Sequence, residues 1–325
     1  MKATYTAIRT ILIRVFNGVW GLEKMATNIA KPIKRRGIKG EGVWGYAFIA
    51  VALVVFAMFT AYPVVSAFII SLQEYKPLGS TYVGFANYAS SLKDPLFWQA
   101  MRNTVVYTIL TVPVNLILSM VIAILILPLR KKTQGFFKGI YYLPVVASGV
   151  ALSVVWLWIF DPLEGGILNQ FIHFFGFSNQ NWLGSSKTAM FSLVLMSWLS
   201  SHGTSIIIYL AGLLGIDDTF YEAAEMDGAN FFQKLWYIVV PSLKPATLFL
   251  LVTGVIGSFQ VFQNAYLMTG GGPNNATTMV GLLIFNNAFT YFEFGKAAAQ
   301  SLILAVIIAG ISVLQFKFAG KDVDY

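Results

Sequence analysis

In MSWLSSHGTS, six side chains able to hydrogen-bond crowd into an otherwise oily stretch: Ser197, Ser200, Ser201, His202, Thr204 and Ser205. Their chemistry is that of neutral donors and acceptors. Such hydroxyls can bond to carbonyls of their own helix and stay structural, they can let helices pack closely, or they can line a path for a polar solute. His202 is either a pH switch or metal ligand, or a hydrogen-bonded core histidine. The only other histidine is His173 and the chain has no cysteine, so the sequence shows no His/Cys metal cluster. It shows no nucleophile–base pair either, and no G-x-x-x-x-G-K-[ST] phosphate loop. FGKA at Phe294–Ala297 has the wrong follower. These residues point to binding and passage of a solute, without chemistry on it.

Two other oily stretches carry similar groups. One holds Thr253, Gly254, Gly257, Ser258, Gln260, Gln263 and Asn264; the other holds Thr104, Tyr107, Thr108, Thr111 and Asn115. Neutral amides and hydroxyls beside aromatics such as Trp198 and Phe259 suit an uncharged, hydroxyl-rich solute. A water-filled passage for any polar solute would have the same composition.

The elements that must position these groups follow from where charge is missing. Of 325 residues, 57% are hydrophobic and 11% charged, against about 25% charged in a soluble domain. Asp, Glu, Lys and Arg are absent from 42–73, 103–129, 139–160, 188–216, 245–292 and 297–316. Each run is long enough for the roughly 20 residues a helix needs to cross a bilayer core. The expected spans lie near 44–72, 102–128, 139–160, 188–214, 244–267 and 297–318. TGGGPNN (Thr269–Asn275) is a turn-rich break, so the 245–292 run is read as one span. With the N-terminus in the cytoplasm, seventeen of the 22 Lys and Arg fall inside, as the positive-inside rule requires. The net charge of +8 is then a topology signal, and nucleic acid is not an expected partner. No charged residue lies deep in a span. That argues against a proton-driven carrier, although a stand-alone carrier with sodium sites built from carbonyls stays open.

Residues 1–42 read as a basic cytoplasmic segment, in which Ile8, Ile11, Leu12, Val15, Phe16, Val19 and Trp20 recur at helical spacing. Such a helix lies in the membrane–water interface or packs on the protein's own spans. Residues 43–318 form the transmembrane domain and 319–325 a cytoplasmic tail. Between the fourth and fifth spans, 216–243 holds YEAAEMDGANFFQKLWYIVVPSL. Thr219-x-x-Glu222 reads there as a capping box, Gly228 as a sharp turn or close approach, and Phe231 to about Val239 as a second helix stopping near Pro241. The result is a compact helical knob on the cytoplasmic side.

The knob resembles the EAA loop of permease subunits from binding-protein-dependent ABC importers. Glu222-Ala223-Ala224, Asp227-Gly228-Ala229 and Val239-Val240-Pro241 fill the places of that pattern. VGFANY (Val83–Tyr88), GILNQ (Gly166–Gln170), AGLLGI (Ala211–Ile216) and LMTGGGPNNAT (Leu267–Thr277) resemble the carbohydrate-uptake branch, of maltose or multiple-sugar type. Asp217 departs from the pattern, which usually has proline there. The resemblance implies an all-α, six-helix polytopic permease of type I importer fold in a bacterial or archaeal cytoplasmic membrane, embedded in membrane lipid. It implies that Glu222, Ala223, Ala224, Asp227 and Gly228 contact a dimer of ATPase subunits. ATP and Mg would be held by those subunits, with no cofactor in this chain. Further implied partners are a second, different permease, an extracytoplasmic solute-binding protein, and a sugar or oligosaccharide. By the same resemblance, the solute would meet Ser197, Ser200, Ser201, Thr204, Gly254, Gly257 and Ser258.

Overall fold

The computed structural model describes residues 41–76, 79–163, 165–200 and 202–319. The expected N-terminal interfacial helix, most of the C-terminal tail and Ser201 lie outside the described residues. The first helix, α1, covers Glu41–Phe56 and continues through a π turn at Ala57–Ala61 into Tyr62–Ser71. Two units divide within it, between Pro63 and Val64. Every element after α1 lies in the second unit.

After α1 the chain forms a hairpin of two four-residue strands, β1 (Gln73–Lys76) and β2 (Gly79–Tyr82), absent from the all-helical expectation. The helices that follow are α2 (Ala86–Lys93), α3 (Pro95–Ile126), α4 (Lys131–Val146), α5 (Gly149–Ile159), α6 (Ile167–Phe174), α7 (Ala189–Ser200) and α8 (Gly203–Leu214). Next come α9 (Asp218–Met226), α10 (Phe231–Ser242), α11 (Lys244–Phe259), α12 (Gln263–Thr269), α13 (Val280–Thr290) and α14 (Phe294–Ala319). Among the described residues, three helices are long and apolar enough to cross a membrane alone, and up to six spans result when each bent pair counts as one. The polytopic helical fold is therefore as expected, but three of the expected spans are not single rods.

Residues 139–160 break at Ala147–Ser148, where the backbone is extended and α4 meets α5 at 101°. Residues 188–214 divide into α7 and α8, 44° apart. The expected 244–267 span ends at Phe259, and α12 is a separate helix. Hydropathy is blind to such breaks because a bent pair and a straight helix are equally apolar. α10 ends at Ser242, one residue past Pro241 as expected, after passing through a π turn at Leu235–Val239. The wider turn, closed by Val240 N–H on the Leu235 carbonyl, absorbs the missing proline N–H. The turn before Pro63 does the same.

The central helix is α3, which packs against α2, α7, α8, α11 and α13. It starts where it does because Pro95 occupies the first turn and Asp94 caps it, accepting the Leu96 N–H at 2.9 Å. Lys296 of α14 pairs with the same carboxylate at 2.9 Å. Partial burial pushes the Asp94 carboxyl up, but the Lys296 bond and the Leu96 and Phe97 amides outweigh it and hold Asp94 below its ordinary value. Apolar packing is continuous along α3. Phe97, Ala100 and Met101 meet Val255, Phe259 and Leu304 at one end. Ala123 and Ile126 meet Tyr209, Leu213 and Leu243 at the other.

The resemblance motifs at the end opposite α9 are structural joints. Asn87 of VGFANY donates to the Ser71 and Gln73 carbonyls, each at 2.9 Å, tying α1 to the hairpin. A Cβ on Gly295 would sit 2.0 Å from the same Gln73 carbonyl. Gly295→Val is therefore expected to destabilise the fold by about 1–3 kcal/mol, the usual cost of overpacking. The melting temperature of the detergent-solubilised protein measures this, and an unchanged value would refute the close approach.

Candidate functional site

The middle of α3 presents Tyr107, Thr111 and Asn115, spaced four apart on one helix face, to a cavity of about 300 Å³. Ser197 of α7, Ser205 of α8, Gly254, Gly257 and Ser258 of α11, and Asn264 of α12 complete its polar wall. No wall residue carries a charge. Asn115 donates to Ser197 at 3.0 Å, while its Oδ1 is buried without a partner in the chain. The buried Tyr107 hydroxyl has Ser197 and Asn264 as hydrogen-bonding neighbours. Ser258 donates to Thr108 at 2.9 Å. Interhelical bonds of this kind contribute about 0.6 kcal/mol each in a membrane, enough to fix side-chain orientation and too little to lock the helices.

The two glycines are not equivalent. A Cβ on Gly254 would lie 3.3 Å from Val112 Cγ1, whereas one on Gly257 meets nothing within 4 Å. Gly254 lets α11 approach α3; Gly257 opens onto the cavity. Phe259 is buried among Phe97, Val280 and Leu304, so it is not an aromatic face for a solute.

Ser200 and Thr204 do not join Ser197. They line a second cavity of about 300 Å³, with Pro144, Gly149, Gly203 and Asn264. Ser200 also accepts the Trp156 indole N–H at 3.0 Å. The break between α7 and α8 divides the hydroxyl cluster between two cavities that share Asn264. His202 is a buried joint residue: Nδ1 bonds Ser119 Oγ at 2.9 Å and Nε2 meets the Trp198 carbonyl. The Trp198 indole in turn donates to the Leu110 carbonyl at 2.9 Å. Sequence reading counts Tyr107, Thr111, Asn115 and Asn264 among the polar groups suited to a solute but not among the residues that the resemblance puts in contact with it; the four-residue spacing on α3 is the signal that gathers three of them on one face.

At the far end of α8 stands the knob. Its first helix is capped by Asp217, which accepts the Thr219 N–H at 2.9 Å. This corrects the expected Thr219–Glu222 capping box: Asp217 lies two residues ahead of the amide it caps, so Thr219 is already inside the helix. The Thr219 bonds hold the Asp217 carboxyl below its ordinary value. The capping box is on α10 instead, where Asn230 and Gln233 exchange bonds of 2.7 and 3.0 Å. Between the helices, Gly228 has φ +74°. The Gly228 N–H bonds the Glu225 carbonyl at 3.0 Å and the Ala229 N–H bonds the Ala224 carbonyl at 2.8 Å, the paired bonds of a Schellman ending. Lys234 reaches back to Glu225 at 2.8 Å and holds that carboxyl below its ordinary value. Glu222, Ala223, Asp227 and Gly228 are exposed and Ala224 half-buried. Sequence reading also misses the apolar tip: Met226 is 89% exposed and Phe220 60%.

A central helix ringed by broken spans, a neutral cavity beside it and a doubly capped knob at one end define a polytopic membrane permease. The chain belongs to the family described as binding-protein-dependent transport system inner membrane component, which it matches over residues 97–319. It is 33% identical over 278 residues to the arabinooligosaccharides transport system permease protein AraP of Bacillus subtilis, covering 85% of this chain and 88% of that protein. It is 30% identical over 300 residues to the lactose transport system permease protein LacF of Rhizobium radiobacter, covering 91% and 99%. Among solved structures, a chain of a bacterial alginate ABC transporter, crystallised with its alginate pentasaccharide-bound periplasmic protein, superposes with TM-score 0.75. The match is 20% identical and covers 84% of this chain and 93% of that one, a likeness of fold.

Proposed function

We propose that this chain is a membrane subunit of an ATP-driven importer. It passes a sugar or oligosaccharide, delivered by an extracytoplasmic solute-binding protein, along a pathway shared with a second, different permease. The observation that carries the reading is the charge-free cavity on α3, walled by neutral donors and acceptors and joined through α8 and α11 to the exposed knob. Sugar hydroxyls need such partners, and a permanently charged solute would meet no counter-charge in that wall. The transport systems named for its relatives act on arabino-oligosaccharides and lactose, which supports the same solute class.

Glu222, Ala223, Asp227 and Gly228 form the contact with a dimer of ATPase subunits, with Ala224 packed behind them. Those subunits bind ATP and Mg; this chain has no nucleotide site or cofactor of its own. Ser197, Gly257 and Ser258 face the solute in the first cavity, and Ser200 and Thr204 continue the path in the second. Gly254 sets the spacing of the helices around it, and Ser201 belongs to the same stretch. The knob is stiff because both its helices are capped and Lys234 ties them together. Closure of the ATPase dimer therefore tilts α8 and α11 and switches the cavity from one side of the membrane to the other. The protein resides in a bacterial or archaeal cytoplasmic membrane with both termini inside.

Proteoliposomes containing all subunits test this. Uptake of a labelled neutral oligosaccharide is expected only with ATP, the ATPase and the binding protein together. Uptake that persists without the ATPase and follows a sodium or proton gradient would establish a stand-alone carrier instead.

A further inference from the structure

From Gly165 to Ser186 the chain carries no Asp, Glu, Lys or Arg, although this stretch lies beyond the end of α5 rather than in a span. It contains α6. The inward side of α6 is fixed by Asn169, which is 1% exposed. Asn169 donates to the Asp161 carbonyl at 3.0 Å and the Gln180 carbonyl at 3.1 Å. It accepts the Gln180 N–H at 3.0 Å and the Trp182 indole N–H at 2.9 Å. Leu168 packs on the same side, against the core of Tyr107, Trp156 and Phe160. With that side held, the opposite side is fixed too. It shows Ile167, Phe171 and Phe174 at helical spacing, with Phe175 beside them.

A helix on a watery surface turns polar groups outward. Here the outward side carries large aromatics, with Phe171 61% exposed, Phe174 84%, Phe175 60% and Phe177 65%, and the exposed polar residues of the helix, Gln170 and His173, fall to one flank of it. Phe175 makes edge contacts with Phe171 at 5.2 Å and Phe174 at 5.4 Å, so the rings form one patch. α6 packs against α5, a helix of a membrane-spanning pair on which Val150, Val154 and Trp158 are exposed, Trp158 at the end nearer α6 in the chain. Trp near a span end and an adjoining apolar helix without charge are the features of the headgroup level of a bilayer.

We propose that α6 is an in-plane membrane anchor. Its phenylalanine side enters the leaflet opposite the knob, and the occupant of the patch is lipid. The anchor holds the α5–α7 connection at constant depth while the knob end moves. Because Asn169 ties the helix to Asp161, just past the end of α5, and to the segment leading into α7, any tilt of those helices is referred to the bilayer surface.

The chain has no cysteine, so single cysteines can be introduced cleanly. Phe174→Cys and Phe171→Cys, each carrying a nitroxide, would be compared with Lys187→Cys in the complete transporter in liposomes. Collision with dissolved oxygen and with a water-soluble nickel chelate distinguishes lipid from water. For a helix buried about 5–10 Å at the interface, the oxygen-to-nickel ratio at 171 and 174 is expected to exceed that at 187 by about tenfold. Nickel access at 174 equal to that at 187 would place the patch in water and overturn the proposal. Exclusion of both probes, relieved when the binding protein is omitted, would make the occupant that protein and also overturn it. Exclusion of both probes under all conditions would assign the patch to another membrane subunit, with the same consequence. Phe174 is exposed and its recorded ring contact is with Phe175, so its replacement leaves the fold in place, and Phe171 supplies an independent reading.

Discussion

Gly228→Val is expected to lower ATP-driven uptake at least tenfold while the protein still inserts and folds. Gly228 has φ +74°, a region that costs an L-residue roughly 1–2 kcal/mol and a β-branched one more. Relief requires the turn to open, and opening breaks the Gly228–Glu225 and Ala229–Ala224 bonds that end α9. The Lys234–Glu225 pair across the same turn would be pulled apart with them. A Cβ at this position meets nothing within 4 Å in the chain itself, so the variant has no internal clash through which to unfold the membrane domain. Gly228→Asn separates the two possible causes of failure, because Asn tolerates the left-handed conformation but adds a side chain. If Asn restores uptake, the backbone turn is what the ATPase contact needs. If Asn fails as Val does, the contact needs a bare backbone. Copurification of the ATPase and uptake in proteoliposomes are the readouts. A Val variant importing at the normal rate would remove the knob from the coupling path.

Gly257→Phe is expected to abolish uptake by at least tenfold with ATPase assembly and melting temperature unchanged. A Cβ at this position meets nothing within 4 Å and opens into the cavity of about 300 Å³, so the added ring is directed into the cavity. Gly254→Phe is the contrasting variant. Its Cβ would begin 3.3 Å from Val112 Cγ1, and the extra bulk would force α11 from α3 at a cost of about 1–3 kcal/mol. One glycine should thus fail in transport alone, the other in stability as well. Normal uptake of several saccharides by Gly257→Phe would show that the solute takes another route.

Both predictions rest on distinctions that spacing in the chain does not contain. Gly254 and Gly257 look alike in sequence, and only the approach of Val112 separates them. Ser197, Ser200, Ser201 and Thr204 recur at three and four residues, which on a straight helix is one face. The break between α7 and α8 turns Ser200 and Thr204 towards the α4–α5 joint instead. Tyr107, Thr111 and Asn115 share the same kind of spacing on α3, which stays helical throughout, and there the spacing does give one face.

What the residues determined by themselves is whatever depends on solvent and on neighbours close in the chain. Charge-free runs longer than a bilayer thickness place the chain in lipid, because no aqueous fold tolerates so much apolar surface. The run Glu222–Ala229 specifies a short helix ended by a left-handed glycine, since every bond that closes it lies within a few residues. Tertiary structure decided the rest. Ala147–Ser148 and 260–262 break helices inside charge-free runs, and the hydroxyls of one segment serve two cavities. Those outcomes depend on which distant helix a backbone group meets. In a membrane, van der Waals packing and single hydrogen bonds between helices settle that choice, and neither leaves a periodic mark in the sequence.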